Sequence, residues 1–209
     1  MPEPSAPAAT TAPYRIATDL ILDAATVVFA REGFDRANMD VIAAEADATK
    51  PTLYARFGSK EGLFKAAVER EYELRKATLF EAYSSGDDAP FSERLRRWSS
   101  TYFDLVRERP AAFVLITEGE RHPGAAAVIR RANNEIVERI AELVVHVSGR
   151  PAGHGARLIA TMISAIFTAC AREAVAREQL EIDDAAALCE SFLYAALRGV
   201  DPELIEALT

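Results

Sequence analysis

Residues 39–57, MDVIAAEADATKPTLYARF, are the stretch that most restricts what this chain can become. Met39, Ile42, Ala43 and Ala46 recur at i, i+3, i+4 and i+7, which is one apolar face of a short helix. Asn38, just before them, is a good N-cap. The stripe breaks at Asp47-Ala48, and Thr49 then offers a hydroxyl to cap a second helix. Pro51 suits that first turn, where its missing N–H costs nothing. Leu53 and Phe57 share one side, so Lys50, Thr52, Tyr54 and Ala55 are left facing outward. Two short helices across a tight turn, the second slim and polar along its outer edge, make a helix-turn-helix of a size that enters a DNA major groove.

Charge argues the other way. The chain of 209 residues carries a formal charge of −8. Up to Lys60 its bases are Arg15, Arg31, Arg36, Lys50, Arg56 and Lys60, against eight acids from Glu3 to Asp47. Composition alone does not point to nucleic acid, so position must carry the case. Position does. Lys50 and Lys60 both fall in first helical turns, where the macrodipole disfavours a cation. Either both are solvated surface lysines, or phosphates complete the arrangement. The motif between them favours phosphates.

With half of its residues apolar, abundant alanine and few β-branched runs, the chain is expected to be all-α with a substantial core. Residues 1–13 read as a loose Pro-, Ala- and Thr-rich tail. A first helix runs from about Arg15 to Arg31, with Ile21, Leu22, Ala25, Val28 and Phe29 inward, and Gly33 ends it while Phe34 folds back. Gly58 closes the second motif helix, Ser59 caps the next, and that helix extends to about Tyr83.

The run from Arg15 to Val68 resembles the tetracycline-repressor (TetR/AcrR) family of bacterial transcriptional regulators. The residues that carry it are ILDAATVVF, Gly33-Phe34, VIAAEA and TKPTLYARFGSKEGLF, about a quarter of the chain. The resemblance implies a homodimer that binds a near-palindromic double-stranded operator and releases it when a small effector enters the C-terminal domain. It implies that Lys50, Pro51, Thr52 and Tyr54 face DNA, and that Asn38 and Lys60 touch its backbone. Three positions depart from the family pattern. Asp47 stands where glycine is usual in the turn, Ala37 replaces a threonine before the first cap, and Asp40 sets an anion near the phosphates.

The domain division expected is a helix-turn-helix unit at 14–60 and an effector-binding and dimerisation unit at 61–209. In the second unit, helices are expected from about Pro90 to Arg109, from Pro110 to near His122, and from Ala125 to Val147, with a loop at Ser84–Asp88. A break then spans Gly149 to Gly155. Two strongly apolar helices follow, with stripes through Ile159, Met162, Ile163, Ile166, Ala169 and Cys170, and through Leu188, Cys189, Phe192, Leu193 and Ala196. They either complete the protomer core or pair with a second subunit in a two-fold four-helix interface. Trp98, Tyr102, Phe103, Phe113 and Glu118 either line an effector cavity or are ordinary core, and Glu118 could instead pair with Arg121 at the surface.

An enzyme is not expected. His122, His146 and His154 are scattered, neither Cys170 nor Cys189 has a histidine beside it, and GRPAGHG lacks a phosphate-loop lysine. No metal or cofactor is called for. The N-terminus has no signal-peptide pattern, and the longest apolar run, between Arg157 and Arg172, falls short of about 20 residues, so a cytoplasmic protein without membrane partners is expected. The competing class is a helical protein–protein assembly module whose helix-turn-helix is structural only.

Overall fold

The computed structural model describes residues 11–84, 89–148, 153–177, 180–201 and 203, and among these every regular element is a helix. The elements are α1 Thr11–Arg36, α2 Met39–Glu45, α3 Lys50–Phe57, α4 Lys60–Ser84 and α5 Phe91–Glu108. They are followed by α6 Pro110–Gly119, α7 Pro123–Ser148, α8 His154–Ala176 and α9 Ile182–Gly199. Residues 1–10 of the expected tail, 85–88 of the loop and 149–152 of the break lie outside the described residues. The first helix begins at Thr11, earlier than the sequence pattern placed it. Gly33, with φ 75° and ψ 160°, interrupts the helical backbone as expected, and the run to Arg36 is two helices meeting there at a kink.

The head consists of α1, α2, α3 and the start of α4. The apolar stripes meet as their spacing dictates: Ile21, Leu22, Ala25, Val28 and Phe29 of α1, Met39, Ile42, Ala43 and Ala46 beside α2, and Leu53 of α3 are all buried. Phe34 turns back onto this core, edge-on to Phe64 at 5.2 Å, and His122 lies 4.1 Å from its ring. His122 also lies 5.0 Å from Phe64. The turn between α6 and α7 is thereby pinned to the head.

The body surrounds α4. That helix packs on α5, α6 and α7, while α7 packs on α8, and α9 lies against α5 and α8. α1 also runs along α6, so the head rests on the body through α1 and α4 together. α8 corrects the expectation on apolar length. At 23 residues, with an 18-residue stretch of mean hydropathy 1.5, it is long and apolar enough, by length and composition, to cross a membrane. It is packed between α7 and α9, and Arg157, Thr161, Ser164, Thr168 and Arg172 line one side of it, facing a cavity. Those features describe a helix of a protein bundle. Cys170 and Cys189 are unpaired thiols on α8 and α9, and burial together with Cys170 pushes the Cys189 thiol up from its ordinary value.

Candidate nucleic-acid interface and effector cavity

The helix-turn-helix is fixed by its caps. Asn38 accepts a hydrogen bond from the Asp40 amide at 2.8 Å at the head of α2. Thr49 Oγ1 accepts from the Thr52 amide at 3.3 Å and lies 2.8 Å from the Thr52 hydroxyl. Between them Asp47 takes φ 47°, the left-handed conformation that the usual glycine would adopt without cost. Gly58 (φ 75°) closes α3, its amide donating to the Tyr54 carbonyl at 2.8 Å. Ser59 Oγ accepts from the Gly62 amide at 3.0 Å and so caps α4.

With Leu53 buried, the opposite edge of α3 is presented outward. Pro51, Tyr54 and Ala55 are exposed, and Lys50 and Thr52 are partly exposed. Tyr54 retains 42% of its surface, and its hydroxyl has no hydrogen-bond partner among the described residues. Asn38 is exposed at the same end of the head.

The two lysines correct the argument made from the macrodipole, because neither lacks a partner. Lys50 Nζ lies 2.9 Å from Asp40 Oδ2, and that hydrogen bond raises the lysine pKa. Lys60 Nζ donates to the Asp35 carbonyl at 3.0 Å and sits 4.9 Å over the Phe34 ring. An ammonium has three donors, so each retains some for a phosphate. Arg56 does not face outward: its Nη1 donates to Thr18 Oγ1 at 2.7 Å and ties α3 to α1.

Behind the head lies a buried ionic junction that the sequence pattern did not reveal. The Glu71 carboxylate, in the middle of α4, is 1% exposed. It accepts from Arg70 at 2.6 Å and from Arg109 at 2.8, 2.9 and 3.1 Å, with the Thr26 hydroxyl of α1 3.2 Å away. Hydrogen bonding to Glu71 raises the Arg109 pKa. Arg70 also reaches Asp23 of α1 at 2.7 Å. A carboxylate and a guanidinium from the body thus clasp the first helix of the head. Only the long-range meeting of α1, α4 and the α5–α6 corner creates this group, so no local spacing could have announced it.

The same residues border a cavity. Glu71 and Arg109 stand at one end of a space of about 230 Å³, whose apolar walls include Leu74, Tyr102, Val106, Phe113 and Ile116. A second, more polar space of about 530 Å³ adjoins it across Arg75, Phe113 and Ile116, and extends to α7 and α8. Of the residues expected to line a pocket, Tyr102 and Phe113 do so. Phe103 is fully buried core, 5.5 Å edge-on from Tyr102. Trp98 packs edge-on to Tyr83 at 5.7 Å and borders neither space. Glu118 is at the surface, 3.8 Å from Arg121, in an outer groove. Burial pushes the Tyr72 hydroxyl, beside the polar space, up to about 12, although its hydrogen bond to Asn133 at 2.8 Å works against that shift.

The terminal helices divide the residues assigned to a subunit interface. Ile163, Cys189 and Leu193 are buried inside the protomer, and Ile159 and Ile166 are half-buried. Met162, Phe192 and Ala196 are exposed. Leu188, which opens the second stripe, is exposed too, as is Leu158, which the first stripe missed.

Comparison with known proteins agrees with this geometry. Residues 21–67 match the model of the tetR family of bacterial regulatory proteins, and residues 90–197 match the tetracyclin repressor-like C-terminal domain. The chain is 32% identical over 154 residues to the HTH-type transcriptional activator FasR of Mycolicibacterium smegmatis, spanning 73% of this chain and 69% of that protein. A solved TetR-like transcriptional regulator from Rhodococcus sp. RHA1 superposes with a TM-score of 0.72 at 30% identity, over 88% of this chain and 97% of the other. Over 49 residues, 23% of this chain and 26% of the relative, it is 45% identical to the DNA-binding transcriptional repressor TetR of Mycobacteroides abscessus.

Proposed function

Because the chain belongs to the TetR family of bacterial regulatory proteins, we propose that it is a cytoplasmic, effector-responsive regulator that binds a palindromic operator as a homodimer. The observation that carries this reading is the outer edge of α3. Lys50, Pro51, Thr52 and Tyr54 stand clear of the core on a helix whose two ends are capped and whose inner edge is locked by Leu53. In a major groove, Thr52 and Tyr54 reach base edges and the neighbouring sugar-phosphate, while Asn38 and Lys60 meet the backbone on either side.

Dimerisation through α8 and α9 is supported by four large apolar side chains left uncovered on those helices: Leu158, Met162, Leu188 and Phe192. An effector in the paired cavities touches α4 and the Glu71–Arg109 clasp, which hold α1, and so biases the spacing of the two heads. Where the operator overlaps a promoter, occupancy excludes polymerase, and repression follows.

The test separates positioning from reading. Lys60→Ala weakens binding to all duplexes about equally and flattens the salt dependence, since a phosphate contact holds no base information. Thr52→Ala changes sequence preference instead. An unchanged salt slope in the lysine variant contradicts the phosphate assignment.

A further inference from the structure

We infer that the effector is an anionic amphiphile whose acid group is held by Arg75. This rests on the effector-responsive reading above and gives its ligand a chemical class. Arg75, on α4, borders both the apolar and the polar cavity. Its guanidinium lies between two aromatic rings, 5.7 Å from Tyr72 and 5.0 Å from Tyr102, and its Nε is buried without a hydrogen-bond partner. Among the described residues Arg75 makes no ion pair.

Its neighbours differ from it. Every other arginine bordering the two cavities has a carboxylate: Arg109 has Glu71, Arg172 has Glu120, and Arg157 has Glu138. The acids that could neutralise Arg75 are committed or remote. Glu71 is taken by Arg70 and Arg109, Glu120 by Arg172, and Glu108 stands exposed at the rim. A partly buried, unneutralised guanidinium with open donors is a receptor for a planar or tetrahedral oxyanion.

What lies beside the cation sets the rest of the ligand. Leu74, Leu105, Val106, Ala112, Phe113 and Ile116 wall the space of about 230 Å³, small enough for a short alkyl or aryl tail and apolar enough to favour one. The larger polar space accommodates whatever polar extension the head carries. Arg75 also lies four residues along α4 from Glu71, so a bound acid abuts the carboxylate that clasps the head. Carboxylates and phosphate monoesters share the chemistry that Arg75 would recognise.

Calorimetric titration of the full-length protein with octanoate, octyl phosphate and 1-octanol tests the assignment. At least one acid binds about tenfold or more tightly than the alcohol, the difference expected for a charge-assisted hydrogen-bonded pair. Which acid wins identifies the head. Arg75→Met, which keeps the stem, abolishes that preference while leaving octanol within about twofold, and Arg75→Lys restores part of it. Equal binding of acids and alcohol, acid preference surviving in Arg75→Met, or no binding of either acid overturns the proposal. The comparison of acids with alcohol in the unmodified protein stands even where a variant does not fold. Duplex binding without any amphiphile is measured alongside. Its absence would refute the regulator reading, whereas intact duplex binding with no acid preference refutes only the ligand class.

Discussion

Asp40 is the perturbation that bears most directly on the DNA face. It lies 2.9 Å from Lys50, so on the proposed DNA face an anion sits where phosphates would approach and offsets one of the few cations there. Both side chains are largely solvated, at 61% and 43% exposure, so the pair does little for stability. Its cost appears on binding. Asp40→Asn keeps the shape of the side chain and leaves the Asn38 cap in place. It adds one effective positive charge at the interface, which steepens the slope of log K against log salt by about 0.9. Between about 50 and 200 mM salt, a fourfold change, the variant then loses about 3.5-fold more affinity than the parent. At the low-salt end it binds correspondingly tighter. Fluorescence anisotropy with an arbitrary labelled duplex suffices, because phosphate contacts are indifferent to sequence. Adding Lys50→Gln to the variant returns the slope to that of the parent. A slope and affinity unchanged by Asp40→Asn would mean that this end of α3 does not approach DNA.

Two further outcomes follow from the packing. Glu71→Gln turns one amide N–H₂ toward donors whichever way it is placed, because both carboxylate oxygens accept from Arg109. Arg109 is 40% exposed, so solvent softens the loss to about 3 kcal/mol, the low end for breaking a buried pair. The melting temperature then falls by about 6–12 °C, and duplex binding weakens as α1 loosens. A melting temperature within about 1 °C of the parent would show the clasp to be decorative. Phe192→Glu, at a position 58% exposed in the protomer, leaves helicity unchanged and converts the proposed dimer to a monomer in sedimentation. A dimer that persists in that variant places the interface elsewhere.

The head was legible because its signals are local. The spacing of Met39, Ile42, Ala43 and Ala46 and the caps at Asn38, Thr49 and Ser59 act within one or two turns, and the folded chain uses each as its position dictates. Asp47 shows the same locality: a turn that needs a left-handed residue gets one even without glycine. What the sequence hid was long-range. Asp40 and Lys50 belong to different helices, Lys60 finds the carbonyl of Asp35, and Glu71 meets Arg109 only because α4 and the α5–α6 corner converge. The terminal helices failed in another way. α8 and α9 are apolar over so much of their surface that a stripe does not tell its inner side from its outer, so Ile163, Cys189 and Leu193 were read outward when they are core. Leu158, one turn before Met162 on the same exposed side of α8, lay outside the chosen stripe. The aromatics were harder to place for the same reason, since neither the full burial of Phe103 nor the half-burial of Trp98 says which cavity they border.

The measurement that bears most directly on this account is hydroxyl-radical footprinting of the protein on the DNA upstream of its own coding sequence. The account predicts two protected segments, related by an inverted repeat, lying on one face of the duplex and separated by about one helical turn or a multiple of it. It also predicts that both fade together as salt rises. A single protected segment, or no protection even at low salt, would contradict it.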